Sequence, residues 1–180
     1  MPLEILYGDY MMRFQKIDSK NEMKEALTRC SNGFLELIEP EYHCAYGILR
    51  YRLFGEKGWF GVGIYSTSQS FPPQVVASCN DNGLLILYDK YVSLFDMYKG
   101  EVSFNHESES IVYFAKYHKN TIVVIAELSA TQLNMNGDVL TTCIFDDILE
   151  SFSFENDKLV CRTMSGSTQY NLICPSTIKW

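Results

Sequence analysis

The sequence predicts a mainly β protein made of antiparallel four-strand units, with one short helix near the N-terminus, and three observations carry that expectation. Residues about 37 apart repeat across 74–173. Within each repeat, apolar runs rich in Val, Ile, Tyr and Phe are bounded by Asn, Asp and Gly, which is strand and turn chemistry. A single stretch, following Ser19, has helical spacing.

The repeat is explicit in places. Thr131-Gln132-Leu133-Asn134 falls on Thr168-Gln169-Tyr170-Asn171, Lys99-Gly100-Glu101-Val102 on Asn136-Gly137-Asp138-Val139, and Leu85-Ile86-Leu87 on Ile122-Val123-Val124 and Leu159-Val160-Cys161. Each unit holds an apolar run, a polar turn, a second run and an alternating third. In the two complete units a tight turn leads to a fourth, and Asn136-Gly137 has the composition of a type I′ hairpin turn. Four antiparallel strands per unit of this length resemble the blade of a partial, open β-propeller. An ordinary meander or sandwich also alternates strands and turns, so both architectures stay open.

In chain order, Leu3 to Tyr7 and Met11 to Phe14 flank a Gly8-Asp9 turn and read as a hairpin. Ser19 and Glu22 have capping-box spacing. Met23, Ala26, Leu27 and Cys30 then form one apolar stripe, and Asn32-Gly33 supplies a stop. Phe34 to Ile38 is a strand candidate closed by Pro40. Ala45 to Ser66 reads as a possible degraded unit, with Ile48 to Tyr51 preceding Leu85 to Tyr88 and Gly63 preceding Gly100 in the same register. One domain is expected over 1–180: residues 1–73 hold the hairpin, helix and possible degraded unit, 74–173 the blade-like repeats, and 174–180 a tail. The best internal break, Thr67 to Pro73, reads as a hinge. The last unit lacks its fourth strand, leaving an edge that the hairpin and helix are available to cover.

The net charge of −7 is unevenly spread. From Glu101 to Asp157 ten acids stand against two bases, Lys116 and Lys119. Such a surface disfavours direct nucleic-acid contact, which needs a basic footprint, and favours a basic partner. No apolar run approaches the ~18 residues of a membrane span, and Met1-Pro2-Leu3-Glu4 lacks the features of an export signal. Six scattered cysteines with no such signal read as reduced thiols in a cytoplasm.

No catalytic residue, metal site or cofactor is expected. His43 and Cys44 are adjacent and would point to opposite faces of a strand. His106 and His118 read as loop residues. Phe60-Gly61-Val62-Gly63 lacks the third glycine of a dinucleotide fingerprint, and Asn80-Asp81-Asn82-Gly83 reads as a hairpin turn and not as a calcium loop. In four-strand units the connections after the second and fourth strands emerge on one face. That set carries Asp89, Glu107, Glu109, Glu127, Asp146 and Asp147 against Lys90, a predicted carboxylate ridge whose bland alternative is a solvated surface. Tyr88 and Phe145, beside the ridge, are the candidate aromatic anchors.

The acidic segment from Glu101 to Asp157, on a partial-propeller pattern, resembles in general character the immunity proteins of bacterial contact-dependent inhibition systems, which neutralise nuclease toxins. That resemblance implies a cytoplasmic toxin inhibitor that covers the active site of a basic nuclease domain. The competing expectation is a non-enzymatic β-repeat scaffold for protein interactions.

Overall fold

The structure, a computed structural model, describes residues 3–38, 41–67, 73–77 and 83–172. The chain divides into two compact units, Met1–Asp89 with Leu94–Val102, and Lys90–Ser93 with Ser103–Trp180. The division does not fall at the expected hinge over 67–73, of which 68–72 lie outside the described residues.

The first unit is founded on a sheet of order β1-β2-β4-β5-β3, with β1 at Leu3–Tyr7, β2 at Tyr10–Ile17, β3 at Phe34–Glu36, β4 at Ala45–Leu53 and β5 at Phe60–Ser66. The predicted N-terminal hairpin is β1 and β2, turning through Gly8 with Tyr7 opposite Tyr10. β4 and β5 are not a degraded repeat. They pair with β2 and with β3, and β3 runs parallel to β5. Gly63 lies in the middle of β5, whereas Gly100, its expected equivalent, is a turn residue at φ +70°.

Helix α1, Lys20–Thr28, starts as its sequence indicates: Ser19 is extended, and its hydroxyl accepts the Glu22 N–H at 3.2 Å. It ends earlier than the sequence suggested. Arg29 is the C-cap, and Gly33, at φ +103°, closes a following turn by donating to the Cys30 carbonyl. Met23, Ala26 and Leu27 pack with Ile17, Ile48 and Tyr65 in one buried cluster. The Gly-x-Gly of β5 gives α1 room to lie on the sheet. A Cβ on Gly61 would meet the Cys30 sulfur at 2.7 Å, and one on Gly63 a Leu27 methyl at 2.9 Å.

Three further sheets follow in chain order. β6 (Gln74–Ala77), β7 (Gly83–Tyr88), β8 (Tyr91–Asp96) and β9 (Glu101–Glu107) form a sheet of order β6-β7-β8-β9, and the division between units falls inside β8 and β9. β10 (Val112–His118), β11 (Thr121–Ala126), β12 (Ser129–Leu133) and β13 (Val139–Ile144) form the next, and β14 (Leu149–Glu155), β15 (Lys158–Thr163) and β16 (Gly166–Asn171) the last. Thr131 and Thr168 each stand on the third strand of their sheet, and Gly100 and Gly137 each between third and fourth strands. The Asn80-Asp81-Asn82 turn and the tail over 174–180 lie outside the described residues.

Turn chemistry departs from expectation at one hairpin. Asn136 does not take positive φ; Gly137 alone does, at +89°. The Asn134 side-chain oxygen accepts the N–H groups of Asn136 and Asp138, and Gly137 N–H donates to the Asn134 carbonyl. The two-residue loop with positive φ at both centres is Lys119-Asn120, at +45° and +62°, between β10 and β11.

Burial grades across the second unit. Every residue of β11 and β12 is buried, whereas β16, the third strand of the last sheet, is almost wholly exposed. The last sheet is two-faced. Phe152, Cys161 and Thr168 form one cross-strand row and Phe154, Leu159 and Tyr170 another; most of these residues pack on Val123, Ile125, Ala130 and Phe145. The opposite face carries the rows Ser151-Arg162-Ser167, Ser153-Val160-Gln169 and Glu155-Lys158-Asn171, which suits water.

Candidate functional site

The second unit gathers three connections at one end. Ser108 to Ile111 joins β9 to β10, Glu127-Leu128 joins β11 to β12, and Phe145 to Ile148 joins β13 to β14. Main-chain bonds stitch them together. Ser108 donates to the Lys90 carbonyl at 2.8 Å, Glu127 to Ile111 at 2.9 Å, Phe145 to Leu128 at 2.9 Å and Leu149 to Glu127 at 3.0 Å, while Leu128 N–H donates to the Ser110 hydroxyl at 3.1 Å. This shared network fixes the loops relative to each other, so acids far apart in sequence sit on neighbouring backbone.

Five of the expected acids belong to this surface. Glu107, Glu109 and Asp146 are exposed; Glu127 and Asp147 are half-buried. Glu107 pairs with Lys90 at 2.5 Å across exposed side chains, a contact that neutralises charge while contributing little stability. The Glu127 carboxylate hydrogen-bonds Tyr113 and helps raise that phenol above its ordinary pKa, burial being the larger cause. Asp147 accepts the N–H of Ile148 at 2.8 Å. Asp146 lines a hollow of about 130 Å³ with Phe145, Cys161, Thr163 and Tyr170.

The other three expected site residues are not surface groups. Asp89 is buried in the first unit, where its carboxylate accepts the Ser66 hydroxyl at 2.8 Å and the Thr67 N–H at 2.7 Å, and its φ is +49°. Tyr88 is 2% exposed and Phe145 6%. Phe145 turns inward because its N–H is tied to Leu128, which sets the ring against Tyr170 at 6.0 Å between centroids. Neither ring is placed to anchor a partner.

Exposed apolar residues do stand among the acids, and sequence reasoning passed over them. Leu128 is 41% exposed, Ile144 69% and Ile148 47%. Ile148 read as the first residue of a buried strand, but β14 begins at Leu149, which is buried, and the preceding residue faces out. The available signal was an apolar residue inside each acidic turn, Glu127-Leu128-Ser129 and Asp146-Asp147-Ile148.

His106 is a strand residue of β9 and His118 the last of β10, not loop residues. Burial lowers the His106 pKa. His118 Nε2 lies 3.1 Å from Asp157, which Lys119 also meets at 2.5 Å. Asp157 is held below the ordinary carboxylate range chiefly by its hydrogen bond to Lys119, with His118 adding to it. His43 lies edge-on to the rings of Tyr46 and Tyr65, while the Cys44 thiol donates to the Thr67 carbonyl. Cys30, Cys44, Cys143 and Cys161 are free thiols, and Cys79 and Cys174 lie outside the described residues. Burial, with a smaller effect of Cys143, pushes the Cys161 thiol up to about 11. Among the described residues no group of three or more His, Cys, Asp or Glu side chains is placed to hold a metal ion, and no helix is long and apolar enough to cross a membrane.

The fold and this surface define a mainly β protein of antiparallel blade-like sheets with one short helix among the described residues, resembling a partial β-propeller. The sequence matches no protein-family model and no curated protein. Among solved structures the chain is similar to BamB from Moraxella catarrhalis, at 12% identity and a TM-score of 0.52, over 92% of this chain and 41% of that one. It is also similar to Hsv2 from Kluyveromyces marxianus (11% identity, TM-score 0.47, 69% of this chain and 46% of that one). BBS1N in complex with ARL6DN gives 11% identity and a TM-score of 0.47, over 74% of this chain and 44% of that one. All three are β-propeller proteins, and the chain spans less than half the length of each. At 12% identity the BamB likeness bears on the fold alone.

Proposed function

We propose that this chain is a non-enzymatic β-repeat interaction module that docks a basic protein partner on the loop surface of its second unit. The observation that carries the reading is the hydrogen-bonded set of three connections. It holds Glu107, Glu109, Glu127, Asp146 and Asp147 together with exposed Leu128 and Ile148. Carboxylates steer a cationic partner into encounter, and desolvated apolar residues at the centre supply affinity. Neither role needs a reacting group.

A basic nuclease domain is the narrower partner class we propose. A surface built to bind phosphates is cationic, so an acidic loop face complements it and would cover its active site. Such an inhibitor would act in the cytoplasm, beside the nucleic acid it protects.

The test is association kinetics with the basic product of the adjacent reading frame at two ionic strengths. Association is expected to be faster at low salt. Glu109→Lys with Asp146→Lys should slow it roughly tenfold or more, as expected for charges that act on encounter. Leu128→Ala with Ile148→Ala should instead raise the dissociation rate. A partner whose binding ignores salt and both double variants would remove this surface from the function. Binding that follows these rules without inhibiting nuclease activity would keep the interaction module and end the inhibitor reading.

A further inference from the structure

The first unit carries an arginine cluster that the loop surface does not explain. Arg13 on β2 and Arg50 on β4 are directly opposed in register, and Arg52, two residues along β4, faces the same side. All three are half-buried. Like charges opposed across a sheet destabilise it, so something must offset the arrangement.

Much of the offset is neutral. The guanidinium carbons of Arg13 and Arg52 lie 4.6 and 4.5 Å from the centre of the Trp59 ring. Arg52 donates to the Glu56 main-chain carbonyl at 2.5 Å and reaches the Met11 sulfur at 3.5 Å. Arg50 hydrogen-bonds the Cys30 thiol. Among the described residues, then, Arg50 and Arg52 meet a carbonyl, a thioether, a thiol and a ring face, but no carboxylate, in a chain of net charge −7. The Nε of Arg52 is buried with no acceptor. A guanidinium drawn from water without a counter-charge is costly, and its planar fork is shaped for an oxyanion.

Arg52 also lines a cleft of about 260 Å³ with Tyr10, Tyr51, Phe60, Asn32 and Lys99. Glu56 lies on the same wall, and Lys99 is already paired with Asp96 and Glu101. The uncompensated charge in the cleft is therefore that of Arg52, backed by Arg50. We propose that this cleft is a binding site for a small phosphomonoester, with the phosphoryl oxygens on Arg52 and an apolar body against the aromatic wall. Trp59 holds the guanidinium in place, and Arg50 adds to the field that draws the anion. The site lies in the first unit and does not rest on the proposed docking surface.

Phenyl phosphate is the probe, with phenol as its uncharged counterpart. In a Trp180→Phe background Trp59 is the only tryptophan, so emission reports directly on the stacked arginines. At constant ionic strength, phenyl phosphate should change the emission saturably and phenol should not. Calorimetry should give the same affinity. Arg52→Gln is expected to weaken binding at least tenfold and Arg50→Gln severalfold. If Arg52→Gln fails to fold, Arg52→Lys keeps the charge but loses the fork, and it too should bind more weakly. Absence of saturable binding by both methods would overturn the proposal, as would affinity unchanged in Arg50→Gln and in whichever Arg52 variant folds.

Discussion

Phe145→Ala is expected to lower the free energy of unfolding by about 3 kcal/mol, the lower end of the ~3–5 kcal/mol range for truncating a buried phenylalanine. The ring is 6% exposed and belongs to the cluster with Val123, Ile125, Leu149, Leu159 and Cys161. Its removal would enlarge the 130 Å³ hollow that it already lines. Because that hollow opens to water, the new space is partly solvated, which places the loss at the low end. Urea unfolding with an unchanged denaturant slope would measure it. A loss under about 1 kcal/mol would return the ring to the surface and restore it as a candidate anchor.

Leu27→Ala should cost about 2–5 kcal/mol, the span for a buried leucine. Leu27 is fully buried, and its methyl groups fill the space left by Gly61 and Gly63 on β5. Nothing larger stands on the strand to move into the gap, so collapse is limited and the upper half of the range is expected. The same melt that measures Phe145→Ala checks it. A loss under about 0.5 kcal/mol would mean that α1 is not part of the core.

These two residues show what could be read from the chain alone. The helix was legible because capping and amphipathic spacing are local, and Ser19, Glu22, Met23, Ala26 and Leu27 suffice for it. The blade-like sheets were legible because strand and turn residues recur at a fixed register. The strand β3 was anticipated, but its parallel pairing depends on β5, more than twenty residues away, and three residues carry no sign of it. The acids at 107, 109, 127, 146 and 147 were found from topology, since connections after alternate strands share an end. Sequence adjacency does not tell which way a loop side chain turns. Hence Tyr88, Asp89 and Phe145 were taken for surface groups, while Leu128 and Ile148 were passed over. Gly61-Val62-Gly63 carried a meaning visible only with the helix lying over it.

The burial gradient across the second unit sets an order of opening. Amides of β11 and β12 lie in the interior strands of their sheet, in wholly buried segments, so their exchange with solvent deuterium requires the unit to come apart. Strand β16 has a neighbour on one side only among the described residues, and its side chains face water. Its protection should be lost at far lower cost, by peeling from β15 while the Val123 and Ile125 cluster stays closed. A protein read by deuterium uptake would thus show an early-opening margin and a late-opening centre, with the loop surface between Glu127 and Leu149 anchored to the late-opening part.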